Sequence, residues 1–228
     1  MREQAQTMGY TVVDAGTVIA THLNHIINAQ SATLLGRQEV QQLLDHVAKD
    51  APKLVEDLVP KVLPLATLQR VLQQLLEESV HIRDMRSIIE TIAEHATRVQ
   101  DPTELASLVR VSLGAAIAQQ IFGSTAELQV AALDPALERL LMQTLQSSTG
   151  DGVGIEPGLA DTLLREAAAA ARHQEQLGQP AVLLVPAALR PLLSRFLRRA
   201  VPQLRVLSQL EIPDSKSIRV MSIVGGKA

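Results

Sequence analysis

The stretch from Gly9 to Ile27 constrains this chain most. Tyr10-Thr11-Val12-Val13-Asp14 is rich in the β-branched and aromatic residues that strands favour, and it reads as a short buried strand. It runs directly into a helical pattern whose apolar stripe is Ile19, Leu23, Ile26 and Ile27. One strand and one helix cannot enclose a two-sided core. The stretch is therefore expected to be the remnant, over residues 1–30, of an α/β domain whose other elements lie upstream or on another molecule.

Composition narrows the remainder. Hydrophobic residues make up 46% of the chain, yet only Tyr10, Phe122 and Phe196 are aromatic, so the cores must be Leu, Val, Ile and Ala. Such a composition favours helices over a β-sandwich. Absence of cysteine excludes disulfides, thiol catalysis and thiolate metal sites. Net charge is −3, with 10 basic against 14 acidic residues up to Leu113 and 11 against 10 beyond it. Neither half is basic enough to point to nucleic acid. No apolar run approaches the roughly 20 residues needed to span a bilayer.

From residue 31 to 113 the pattern is that of a helical domain. Leu65, Leu68, Val71, Leu72, Leu75 and Leu76 form one stripe; Met85, Ile88, Ile89 and Ile92 form another. Breaks fall at Asp50-Ala51-Pro52, Pro60–Pro64 and Ser79–Ile82, and Asp101-Pro102-Thr103-Glu104 carries the signals of a helix start. Residues 114–228 read as an α/β domain with a small mixed sheet. Its strands are expected near Glu127–Ala132, Ala181–Val185, Arg205–Gln209 and Ile218–Ile223. Its helices are expected from Asp134-Pro135, over Pro157–Leu177 and over Ala187–Ala200, with a Ser/Gly loop over Ser147–Ile155. The fold class is thus α+β, mainly helical.

Several motifs carry a resemblance. Gly-Tyr-Thr-Val-Val-Asp at Gly9–Asp14 is followed by Ala20-Thr21-His22-Leu23-Asn24-His25, Gly36-Arg37-Gln38-Glu39, Glu56-Asp57-Leu58-Val59-Pro60 and Ile82-Arg83-Asp84-Met85-Arg86. Later come Glu156-Pro157-Gly158-Leu159-Ala160-Asp161 and the long run Leu189–Arg199. In these the chain resembles, over nearly its whole length, the cytosolic carboxy-terminal half of the large membrane component of the flagellar and type III secretion export gate, on the flagellar side. That resemblance implies a protein-conveying role without catalysis and without a cofactor, at the cytoplasmic face of the bacterial inner membrane. It implies a nonameric ring of the full-length protein, docking of export chaperones with bound substrates, and contact with other export-apparatus proteins including the ATPase complex. The isolated chain is expected to be monomeric, because ring contacts weaken once membrane neighbours no longer concentrate them.

By matching motif to motif, Thr21 corresponds to a residue of the family's hydrophobic chaperone-docking dimple, with Val13 and Val18 in its apolar wall. The dimple's other half lies upstream in the family. The competing reading makes Val13 and Val18 ordinary core at a strand-helix junction. Arg190, Arg195, Arg198, Arg199 and Arg205 fall in a window, Gln176 to Leu210, with no acidic residue. Inward-facing Leu189, Leu192, Leu193, Phe196 and Leu197 would turn the helix arginines Arg190, Arg195, Arg198 and Arg199 outward, as a basic partner face or as a merely solvated one.

Other signals are weak. His22 and His25 share a helical face but would supply only half of a tetrahedral metal site. Gly150-Asp151-Gly152-Val153-Gly154 follows a helix rather than a strand and lacks the basic residue of a phosphate loop. Glu77, Glu78 and Asp84 read as a solvated helix end. The rival function is a small-molecule-binding or hydrolytic α/β protein, with a crevice at the carboxy ends of the strands near Val185 and Leu207.

Overall fold

Asp14 opens the first helix, α1 (Ala15–Ala29): its carboxylate accepts hydrogen bonds from the Thr17 amide at 2.9 Å and the Thr17 hydroxyl at 2.5 Å. The computed structural model describes residues 12–147 and 155–225, so Tyr10, Thr11 and the Gly150–Gly154 run lie outside the described residues. The expected strand is not formed at Val12 and Val13, which precede α1 as irregular chain, and Val13 is exposed. The stripe Ile19, Leu23, Ile26 and Ile27 is likewise not buried, each residue being between 43% and 66% exposed. The helix is amphipathic as expected, but its chief described neighbour is only the one-turn α2 (Ser31–Leu34), which cannot cover a face of that length.

Five helices build the first core. They are α3 (Arg37–Asp50), α5 (Leu65–Glu77), α6 (Met85–His95), α7 (Pro102–Ser112) and α8 (Gly114–Phe122), with the short α4 (Pro52–Leu58) linking α3 to α5. Asp101 accepts from the amides of Thr103 and Glu104 at 3.0 and 2.8 Å, with Pro102 in the first turn, as the sequence signals require. Asp84 caps α6 through the Ser87 amide at 3.1 Å. Leu68, Val71, Leu72 and Leu75 from α5 pack with Ile88, Ile89 and Ile92 from α6 and with Leu105 and Val109 from α7, all fully enclosed. No single helix among the described residues is long and apolar enough to cross a membrane; the apolar pair α7–α8 is bent by 71°.

Four strands follow: β1 (Glu127–Leu133), β2 (Val182–Val185), β3 (Arg205–Ser208) and β4 (Ser217–Val224). Between them lie α9 (Pro135–Ser147), α10 (Pro157–Gln176) and α11 (Arg190–Leu197), the last shorter than expected because Ala187–Leu189 and Arg198–Ala200 are turns. Strand order is β3-β2-β1-β4, and every pairing is parallel, so the sheet is parallel rather than mixed. The reason is that each connection returns the chain to the same end of the sheet before the next strand begins. Even the short link Gln209–Lys216 does so, carrying the chain from the β3 edge to the opposite β4 edge.

The sheet has two apolar faces. Leu128, Val130, Val182, Leu184 and Leu207 continue the helical core, whereas Ala131, Leu133, Leu183, Val185 and Val206 join α9, α10 and α11 in a second one. The β3–β4 link passes on the helical side, and there Gly114 is indispensable: a Cβ at this position would fall on the Glu211 carbonyl oxygen. Gly114→Ala is expected to lower the unfolding free energy by about 1–3 kcal/mol, since neither backbone can yield cheaply. Urea denaturation checks this against Gly158→Ala, where an added Cβ meets nothing within 4 Å and stability should hold or rise.

Candidate docking surface

On α1, spacing of three and four residues brings Thr17, Val18, Thr21, His22 and His25 to one side, and Val13 lies beside them at the helix start. Together these six line an open depression. Val13 and Val18 are 51% and 52% exposed, so within the described residues neither is core. Ile19, Leu23 and Ile26 extend the uncovered apolar surface along the flank of the same helix. What this surface can do chemically is accept apolar side chains from another polypeptide, with the Thr21 hydroxyl and the imidazoles as polar contacts. The two histidines do not form part of any cluster of three or more potential metal ligands among the described residues.

The arginine face divides. Arg195 and Arg199 are exposed, and Arg198 is half exposed with its guanidinium 2.9 Å from Glu77. Arg190 does the opposite of what the helix pattern implied: it is buried at 2% exposure and belongs to no outer face. Its Nη1 donates to Glu78 Oε2 at 2.5 Å, its Nη2 to the Ser107 hydroxyl at 3.3 Å, and its Nε stands 3.6 Å from Glu211 Oε1. Arg190 sits in the first turn of α11, where that helix meets the end of α5 and the β3–β4 link, and the carboxylates waiting there draw it inward.

A second guanidinium completes this cluster. Arg110, from α7, lies 2.9 Å from Glu78 Oε2 through Nη1 and 2.6 Å from Glu211 Oε2 through Nη2. Glu211 is held in turn by the Ser208 hydroxyl and amide, at 3.0 and 3.3 Å, in a capping box. Burial works against the Arg110 charge, yet Glu211 and Glu78 outweigh it and hold its pKa above the ordinary guanidinium value. At Arg190 burial prevails, helped by the Arg110 charge and opposed by Glu78 and Glu211, and its pKa is lowered. The cluster ties α5 and α7 to α11 and the β3–β4 link.

Glu78 is therefore no solvated helix end, and Arg110 and Glu211 escaped the sequence reading altogether. Two signals were available. Arg110 falls on the apolar stripe of α7 with Leu105, Ala106 and Val109, and Ser208-x-x-Glu211 has the spacing of a capping box. The same turn follows β3 directly, and Ser208 and Glu211 are both buried in it.

The FHIPEP family model matches residues 1–217. This chain belongs to the FHIPEP family. The flagellar biosynthesis protein FlhA of Salmonella typhimurium is 60% identical over 227 residues, 100% of this chain and 32% of that protein. The chain thus spans about a third of the length of such relatives. Among solved structures, the CdsV protein in the Chlamydia pneumoniae CdsV and CdsO complex aligns with a TM-score of 0.85 at 24% identity, over 98% of this chain and 66% of that one. The nonameric SctV-C of enteropathogenic E. coli (EPEC) aligns with a TM-score of 0.77 at 25% identity, over 90% and 62%. The match to these relatives lies in their cytosolic carboxy-terminal region.

Proposed function

We propose that this chain helps dock export chaperones, loaded with flagellar substrates, onto the cytosolic ring of the export gate and so helps order substrate export. One observation carries the reading: α1 presents Val13, Val18 and Thr21 side by side in an uncovered depression, with further apolar side chains exposed along the same helix. A helix with that much uncovered apolar surface has a partner to meet. Family membership supports an export-apparatus partner, and we take the remaining wall of the dimple from residues upstream in the longer relatives. Assembly as a nonameric ring at the cytoplasmic face of the inner membrane is proposed from the nonameric relative, and contact with the ATPase complex from the relative bound to CdsO. Arg195 and Arg199, exposed and cationic, form a secondary face for an acidic partner.

The test is binding of purified flagellar chaperone–substrate complexes to the chain extended upstream, with and without Thr21→Asp. Thr21 is exposed, so folding should survive, and a buried carboxylate in the contact should weaken affinity about tenfold or more. Unchanged affinity in the folded variant would sink the proposal. A tightly bound metabolite in the purified protein would turn attention to the small-molecule alternative.

A further inference from the structure

We propose that the cleft between the end of α5, α8 and β3 is a binding site for one small monovalent anion, chloride in solution, held against the guanidiniums of Arg110 and Arg205. Both side chains line this cleft, which has a volume of about 50 Å³; Arg198 and Glu77 also line it and pair with each other at 2.9 Å. Two observations point to a ligand there. Arg110 is 3% exposed, and its Nε has no hydrogen-bond partner although both terminal nitrogens are engaged. Arg205 donates from Nη1 to the Glu78 carbonyl oxygen at 2.8 Å, but among the described residues it has no carboxylate partner.

Charge balance agrees. The buried cluster and Arg205 bring together the guanidiniums of Arg110, Arg190 and Arg205 against the carboxylates of Glu78 and Glu211, an excess of one positive charge. Arg205, which carries the excess, is partly buried without a carboxylate of its own, and a bound counter-ion lowers the cost of that arrangement. Burial lowers the Arg205 pKa and the Arg110 charge lowers it further, while the Glu78 charge works the other way without cancelling them. The excess of one sets the ligand's charge, because a divalent anion would face Glu77 and Glu78 uncompensated. A water-sized particle needs roughly 10–15 Å³, so the cleft admits a halide with room for water beside it.

The experiment melts the chain in sodium chloride or bromide against sodium gluconate at equal ionic strength, which screens surface pairs alike. Halide should raise the melting temperature by about 2–4 °C. Arg205→Gln, which removes the excess charge, should abolish that response, whereas Arg205→Lys should keep it. Crystals grown in bromide should show anomalous density within hydrogen-bonding reach of Arg110 Nε. Equal melting in halide and gluconate, a halide response undiminished in Arg205→Gln, or a bromide map with only water in the cleft would each overturn the proposal. If Arg205→Gln fails to fold, the bromide map decides.

Discussion

Arg110→Ala should lower the unfolding free energy by about 3–5 kcal/mol, the cost of leaving a buried carboxylate without its partner. Glu211 would lose most: its side chain is 1% exposed, its Oε2 lies 2.6 Å from Arg110 Nη2, and only Arg190, 3.6 Å from its Oε1, would remain as a cation. Glu78 would keep Arg190 at 2.5 Å, which is why the loss should not be larger still. Removing both members of the inner pair, as Arg110→Met with Glu211→Met, should recover much of the loss, because apolar replacements of similar volume need no counter-charge. Chemical denaturation of the wild type, both single variants and the double variant gives the interaction energy directly. A single-variant loss below about 1 kcal/mol would mean that the pair is effectively solvated and that the cluster does not hold the joint.

Ile89→Ala should cost about 2–5 kcal/mol, through lost burial and the cavity left in a fully enclosed site. Ile89 is 0% exposed at the centre of the core shared by α5, α6 and α7. The loss should not stay within the helices. Leu128, Val182, Leu184 and Leu207 of the sheet belong to the same apolar cluster, so helix and sheet should melt together. Far-ultraviolet dichroism and the fluorescence of a tryptophan placed on the exposed face of α11 should therefore give one coincident transition, shifted down by the substitution. Ile89→Val, which removes one methyl group, should cost only about 0.5–1.5 kcal/mol. Two separated transitions in either variant would show that the shared cluster does not couple helices to sheet.

How legible the architecture was follows from how local its causes are. Asp101-Pro102, Asp84 and Asp134-Pro135 announce helix starts because the capping oxygen reaches amides only two or three residues away. Val182–Val185, apolar at every position, reads as a strand covered on both faces, and all four residues are buried. Sequence failed where burial depended on a distant partner. Arg190 looked outward by helical spacing, but Glu78, 112 residues earlier in the chain, draws it in. Ile19 and Leu23 looked inward by the same rule and stand exposed, because periodicity identifies an apolar face without providing what covers it. Thr21, Val13 and Val18 reached the candidate surface through the family resemblance, and the fold adds that they share one open depression.

By itself the sequence determined the helical content, the stripes that would seek burial, the family and the absence of thiol chemistry. Capping, periodicity and composition act within a few residues, so they can be read along the chain. The tertiary structure alone decided that the sheet is parallel throughout rather than mixed, that one apolar cluster runs from the helices into it, and that Arg110 meets Glu211 across 101 residues. Those outcomes depend on which surfaces are brought together when the chain closes on itself, and a buried charge takes its partner from whatever lies across the interface.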